Sequence, residues 1–115
     1  MKTLTYKNPW GTEYQVLFEI GNYQNNNRLF VGLFCYDKDY EDFAPYGGIT
    51  TNIAWPVSRE NCSFVDTNNM GKNIVSWLEE NGFAKRTGVI GESGFCSYPE
   101  MEFDLNKIKE FELSY

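Results

Sequence analysis

The chain has 115 residues, of which 42% are hydrophobic and 17% aromatic, so it can bury one substantial core but is too short for two domains. Its formal charge of −6 disfavours direct contact with nucleic acid, and no apolar run approaches the length of a membrane span. From the length we expect a single domain over residues 1–115. Three cysteines without a C-x-x-C pair indicate neither a disulfide framework nor a zinc site. We therefore expect the protein to lie in the reducing cytoplasm and to carry no metal or cofactor.

The N-terminal part of the chain alternates apolar and polar residues with a period of two. Leu4 and Tyr6 show this alternation first, and residues 14–20 repeat it after a Pro- and Gly-containing stretch at 8–11. The pattern predicts two strands joined by a turn. The Asn-rich stretch 21–27 predicts a second turn, because Asn tolerates left-handed backbone angles and hydrogen-bonds its own main chain.

Residues 28–36 are apolar on both faces, which is typical of a central strand. Such a strand is covered on both sides by its own chain, or by the helix on one side and a partner on the other, which leaves a homodimer open. Residues 37–48 are interpreted as an acidic, aromatic connection. Residues 49–54 predict a fourth strand that ends at Pro56, because proline has no amide hydrogen for the ladder.

One segment has convincing helical periodicity. It follows a short extended stretch at residues 62–65, and Asn68 or Asn69 is a suitable N-cap. Asn81 and Gly82 provide a helix stop. The predicted buried face of this helix consists of Met70, Ile74, Trp77 and Leu78.

After the helix, residues 87–90 and 101–105 predict further short strands, and the tail at 106–113 fits either a helix or a strand. Together the patterns predict an α+β fold. In it, an antiparallel sheet of four to six strands carries one main helix packed on one face.

Familiar catalytic signatures are missing. The chain has no histidine, so no Ser-His or Cys-His pair can form, although Gly91–Gly94 partly resembles a nucleophile elbow. Carboxylates alternate at residues 37–41, but the glycine and glutamate of a calcium loop are absent. We therefore expect a non-enzymatic protein. An enzyme that uses carboxylates alone is the alternative, although the spacing shows no such pair.

The acidic connection is the first candidate site. Aromatic side chains interleaved with carboxylates are typical of a protein-contact surface, and an acidic patch suits a basic partner. The predicted protein-binding residues are Asp37, Asp39, Tyr40, Glu41, Asp42 and Tyr46.

Two polar segments that flank the helix, at residues 66–69 and 91–98, form the second candidate site. Small hydrogen-bonding residues on loops leave backbone groups free, and a nearby cation suits a phosphate. Helix capping alone also explains part of the first segment. The predicted ligand-binding residues are Asp66, Thr67, Asn69, Arg86, Ser93 and Tyr98.

Several segments resemble an uncharacterised family of small proteins carried on bacterial mobile elements and bacteriophages. These are Phe-Val-Asp-Thr-Asn-Asn at 64–69, the helix end at 77–82, and Gly-Glu-Ser-Gly-Phe-Cys-Ser-Tyr-Pro at 91–99. The opening at 6–11 resembles the family's start as well. The resemblance covers most of the chain but brings no catalytic residues with it. It implies a cellular context, because small acidic proteins of such elements are frequently inhibitors of host defence.

Two hypotheses of function follow. The leading one is a non-enzymatic anti-defence protein, which inhibits a bacterial immune effector such as a CRISPR nuclease by occupying its basic nucleic-acid-binding surface. The alternative is a small-ligand binder that sequesters a nucleotide immune signal.

Overall fold

The computed structural model describes residues 2–113, which form two four-stranded antiparallel sheets and three short helices. The first sheet is a meander in which each strand pairs with the next along the chain. Its strands are β1 (Leu4–Lys7), β2 (Glu13–Asn22), β3 (Leu29–Asp37) and β4 (Asp42–Gly48).

The second sheet has the strand order β5-β6-β8-β7, so β8 lies inside it and pairs with both β6 and β7. Its strands are β5 (Thr50–Thr51), β6 (Cys62–Val65), β7 (Ala84–Ser93) and β8 (Cys96–Phe103). The helices are α1 (Thr67–Met70), α2 (Asn73–Glu80) and α3 (Leu105–Lys109). Among residues 2–113, no helix has the length and apolar character needed to cross a membrane.

The predicted fold class is confirmed in its coarse form, since the chain combines antiparallel sheets with short helices. The prediction of one main helix on one face of a single sheet is not confirmed. The helical region is divided at Gly71, whose φ is +88°. A Cβ at this position would lie 2.4 Å from Cγ of Pro9, so both the backbone angle and the close approach require glycine.

Strand boundaries also differ from those predicted. The connection expected at 37–48 contains strand β4, which was missed because Pro45 and two glycines interrupt any alternation. Proline is tolerated there because β4 is an edge strand that pairs only with β3. The strand expected at 49–54 is reduced to Thr50–Thr51, and the strand expected at 87–90 belongs to the longer β7. Of the strand expected at 101–105, residues 101–103 belong to β8, whereas Asp104 caps α3 and Leu105 begins it.

The core lies between the inner face of the first sheet and a layer made of α2 and the second sheet. Phe18 of β2 packs edge-on against Phe83, with ring centroids 4.9 Å apart, and Trp77 of α2 lies within 6.0 Å of both rings. The predicted helix face is confirmed for Ile74 and Leu78, which are fully buried in this core. An aromatic cluster therefore joins the two layers.

Two buried hydroxyls connect the sheets. β4 does not extend alongside Leu29 and Val31 of β3. The backbone groups of these two residues form hydrogen bonds instead with side chains and with the segment that leads into the second sheet. The Val31 amide donates to Oγ1 of Thr50 at 3.1 Å, and the Ser63 hydroxyl donates to the Leu29 carbonyl at 3.0 Å. The Ile49 amide donates to the Val31 carbonyl at 2.8 Å. These bonds satisfy buried backbone groups where the chain passes from one sheet to the other.

The connection between β5 and β6 covers the outer face of the second sheet. Residues directly opposite in an antiparallel pair share a face, so Phe64 and its partner Glu100 lie together on this side. Phe64 is 1% exposed and lies against Ile53 of the connection, close to Gly91. A second, smaller apolar layer therefore supports residues 52–61.

The carboxylate of Glu100 anchors this connection, although its side chain is fully buried. The Ser58 amide donates to its Oε2 at 2.8 Å, and the hydroxyls of Ser58 and Thr87 donate to its Oε1, each at 2.6 Å. Burial by itself raises the pKa of Glu100, but the hydrogen bonds from Ser58 and Thr87 outweigh it and the net pKa is lowered. The folded state therefore favours the ionised form.

Replacing Thr50 by valine tests the connection between the sheets. Thr50→Val keeps the shape but leaves the buried Val31 amide without its acceptor, so we expect a loss of about 1–3 kcal/mol in the free energy of unfolding by urea titration. The control is Thr51→Val, because no hydrogen bond within residues 2–113 involves the side chain of this neighbour on the opposite face of β5. Equal free energies of unfolding for Thr50→Val and Thr51→Val would contradict the role of Thr50 as the acceptor for the Val31 amide.

Replacing Glu100 by glutamine tests the anchor. Gln can still accept from the hydroxyls, but its amide then faces the Ser58 amide, so we expect a loss of about 1–3 kcal/mol at pH 7. Because the folded pKa is lowered, the carboxylate's contribution is complete above the unfolded pKa of about 4.3 and is lost as pH falls through the folded value.

Urea titrations from pH 7 to pH 3 should therefore show the difference between the wild type and Glu100→Gln shrinking at the acidic end. The control Glu80→Gln changes an exposed carboxylate on α2 and should follow the wild type throughout. A difference that does not vary with pH would show that charge at Glu100 is irrelevant.

Candidate functional site

The predicted acidic connection forms the tip of the β3–β4 hairpin. Asp37 and Asp42 are the last paired residues, and Glu41 adopts a left-handed backbone angle, with a φ of +52°. Asp37 Oδ1 accepts from the Asp39 amide at 2.9 Å, and Asp42 Oδ1 accepts from the Phe43 amide at 2.8 Å. These bonds fix the turn. We name Asp37, Asp39, Tyr40, Glu41 and Asp42 the acidic tip.

The charges of the acidic tip are not neutralised within the domain. The ion pairs found across residues 2–113 use the carboxylates of Glu79 and Glu102, and none involves the tip. Lys38 is the single cation of the turn. Over the same part of the chain, no three side chains of metal-ligating type are grouped together. The tip thus presents four carboxylates to solvent, beside a Tyr40 side chain that is 83% exposed.

Tyr46, the sixth predicted contact residue, lies elsewhere. The β3–β4 pairing shifts register between Leu33 and Phe34, which makes Tyr46 the extra residue of a β-bulge. Its ring packs against Tyr14 and Tyr6, at centroid distances of 5.1 and 5.9 Å. Burial raises the pKa of its hydroxyl. Tyr46 therefore helps to pack the sheet and is not part of the acidic tip.

An exposed tryptophan that the sequence analysis did not single out lies at the same end of the first sheet. In a meander, the β1–β2 and β3–β4 turns share one end, and two strand spacings separate them by about 10 Å. Trp10 occupies the β1–β2 turn and is 82% exposed. Its position between Pro9 and Gly11 was the available signal, because a large aromatic residue inside a turn has no place in a strand's buried face.

The two polar segments that flank the helical region do meet. Nδ2 of Asn68, in α1, lies 2.8 Å from the Cys96 sulfur and 3.5 Å from the Tyr98 hydroxyl. Partial burial raises the pKa of the Tyr98 hydroxyl, and the adjacent Cys96 thiol adds to this shift. The segments thus touch through Asn68 and Cys96, which were not predicted as ligand-binding residues, and through Tyr98, which was.

Two predicted ligand-binding residues are occupied in capping α1. Asp66 is the N-cap, and its Oδ1 accepts from the Asn69 amide at 3.2 Å. Asp66 Oδ2 accepts from Nδ2 of Asn69 at 2.7 Å. Thr67 is the first residue of α1. Capping therefore accounts for part of this segment, as expected, but the N-cap is Asp66 and not Asn68 or Asn69, which lie inside α1.

Arg86 is remote from the rest of that set. It lies opposite Met101, whereas Ser93 lies opposite Cys96 at the other end of the same hairpin. Seven residues of strand separate Arg86 from Ser93 by about 20 Å. Arg86 Nη2 pairs with Glu79 Oε1 at 2.8 Å, and this bond lowers the pKa of Glu79. The predicted phosphate-binding cation is therefore absent from the Asn68–Tyr98 contact.

Two surface grooves lie away from both predicted sites. One, of about 660 Å³, runs between the end of α2 and the end of β8, and Glu79, Glu102 and Asp104 make it acidic. The other, of about 610 Å³, lies between the β2–β3 turn and the β5–β6 connection. Arg28 and Arg59 both line the second groove. None of the predicted site residues lines either groove.

Comparison with known proteins gives a family but no activity. No curated protein and no solved structure matches the chain. A family described as a domain of unknown function, DUF4313, matches residues 17–114. This range includes the acidic tip, the contact between the polar segments, and both grooves. The chain therefore belongs to the DUF4313 family.

Proposed function

We propose that this protein is a non-enzymatic inhibitor, carried by a phage or mobile element, that acts in the bacterial cytoplasm on an immune effector such as a CRISPR nuclease. It binds a basic, nucleic-acid-binding surface of that effector through the acidic tip. One observation supports this proposal above all: on either side of the exposed Tyr40 in the sequence lie four carboxylates that form no ion pair within residues 2–113.

The acidic tip combines the two features that protein contacts use. Carboxylates that form no ion pair within the domain keep an unneutralised negative charge. The electrostatic attraction of this charge speeds encounter with a basic surface and orients the approach. Tyr40 then offers a large, amphipathic ring that loses little conformational entropy on binding. Because the hairpin is fixed by its ladder and by the Asp37 and Asp42 side chains, little ordering is needed when the partner binds.

Inhibition follows from competition. A surface that binds nucleic acid carries clustered Lys and Arg, and its affinity arises largely from phosphate contacts. Four carboxylates on a rigid hairpin satisfy such cations in place of phosphates. The chain's net charge of −6 disfavours binding of the inhibitor itself to nucleic acid. The inhibitor and the nucleic acid should therefore exclude each other.

Trp10 enlarges the contact. Its turn lies about 10 Å from the acidic tip, within the span of one ordinary protein interface. A second exposed aromatic ring beside the charged patch gives the interface an apolar anchor on its rim.

The test is a tip variant with Asp37→Asn, Asp39→Asn, Glu41→Gln and Asp42→Asn, assayed against a panel of defined CRISPR nucleases. Wild-type protein should restore plaque formation by a targeted phage for at least one nuclease, and the tip variant should lose most of this effect. For the purified pair, the variant should bind at least tenfold more weakly, and its affinity should depend less on salt.

The matched control neutralises four exposed carboxylates outside the tip, at Glu19, Glu80, Glu110 and Glu112. It has the same net charge as the tip variant, so retained inhibition separates a local contact from a general charge effect. Equal loss in both variants would overturn the role of the tip. If the wild type leaves every nuclease of the panel active, the proposed effector class is wrong.

A further inference from the structure

We propose that the groove between the β2–β3 turn and the β5–β6 connection binds a small phosphate ester. This site is independent of the proposed contact with an immune effector. Its volume of about 610 Å³ lies within the range of ligand pockets in proteins, which is about 300–1,000 Å³. We name it the asparagine groove, because Asn22, Asn26, Asn27 and Asn61 line it.

The asparagine groove is lined by two arginines and one carboxylate, Glu60, in a protein that is acidic as a whole. The chain has three arginines, at 28, 59 and 86, and the first two line this groove. Arg28 Nη1 donates to the Ile53 carbonyl at 2.9 Å, which fixes the guanidinium and leaves its other N–H groups for a ligand. Two guanidinium groups suit a phosphate dianion, because each can bind two oxygens at once.

Two carboxylates face these cations. Glu60 lines the groove, and Glu102 Oε2 accepts from Arg59 Nε at 2.8 Å, which lowers the pKa of Glu102. Lys85 Nζ lies 3.5 Å from the other oxygen of Glu102. Lys85 therefore remains paired with Glu102 when the terminal nitrogens of Arg59 bind a ligand. The Arg59 side chain is 56% exposed, so its pair with Glu102 is weak enough to share.

The walls of the groove are held together before any ligand binds. Asn26 Nδ2 donates to Oδ1 of Asn52 at 3.1 Å, and Asn52 Nδ2 donates to Oδ1 of Asn25 at 2.9 Å. With the Arg28–Ile53 bond, these contacts fix the turn to the connection, whose other side is anchored by Glu100. A preformed groove spares the ligand the cost of ordering its walls.

The amide side chains supply acceptors as well as donors. Asn22 Nδ2 donates to the Asn27 carbonyl at 3.2 Å, and Asn61 Nδ2 donates to the Phe103 carbonyl at 3.1 Å. In the described part of the chain, the Oδ1 atoms of Asn22 and Asn61 have no hydrogen-bond donor. Carbonyl oxygens of this kind accept from sugar hydroxyls. The ligand that fits is therefore a phosphorylated sugar or nucleoside rather than inorganic phosphate alone.

The experiment titrates ¹⁵N-labelled protein with glucose 6-phosphate and with AMP, and follows backbone amide signals by NMR. At least one of these compounds should shift the signals of residues 26–29 and 59–61 in a saturable manner. Inorganic phosphate should bind more weakly, and unphosphorylated glucose should not bind. A parallel titration uses citrate, an anion without phosphate. If citrate shifts these signals and the phosphate esters do not, or if no compound shifts them, the proposal is overturned.

Two arginine variants test the site, and a third is the control. Arg59→Gln and Arg28→Gln should each weaken binding about tenfold or more, because each removes a charged donor to the phosphate. Arg86→Gln makes the same change of charge at the surface pair with Glu79 and should bind like the wild type. Since Arg28→Gln also removes a bond between the walls, Arg59→Gln is the deciding variant. Wild-type affinity in Arg59→Gln would rule out the site.

Discussion

The architecture depends on how the chain leaves one sheet and enters the other while its buried backbone N–H and C=O groups keep hydrogen-bond partners. At this point β3 has lost β4 as a neighbour, and the amide and carbonyl groups around Val31 lie inside the protein. Thr50 and Ser63 are short enough to reach them and polar enough to satisfy them. Their burial is unusual for hydroxyl residues and is explained by this task. These few bonds join the first sheet to the second at the point where the chain passes between them.

Local patterns in the sequence were sufficient for some elements and not for others. The alternation around Val16 and Phe18 correctly indicated a strand, although Leu17 on its opposite face is buried as well. The two-faced apolar run correctly indicated an interior strand. The helix break at Gly71 could not be foreseen, because it results from the approach of Pro9, which is distant in sequence. The division into two sheets was missed for the same reason, since pairing partners such as Cys62 and Glu102 are set by the tertiary fold.

The candidate sites show the same limit. The acidic tip was recognisable because its residues are consecutive, and the chain presents them together whatever the rest of the fold does. Tyr46 is also close in sequence, but a single extra residue in the ladder turns it inward. The asparagine groove was invisible in the sequence. Its two arginines are 31 positions apart in number, and tertiary bonds such as Asn26–Asn52 and Arg28–Ile53 bring the segments that carry them together.

The edges of the two sheets have a consequence for how the protein behaves at high concentration. An exposed strand with free amides invites pairing with another copy, and long flat edges promote aggregation. Here β4 is interrupted by Pro45 and a bulge, and β5 has two residues. The edge of β7 carries Lys85 and Arg86 and is itself bulged before Ile90. These edges discourage strand-to-strand association between copies of the domain.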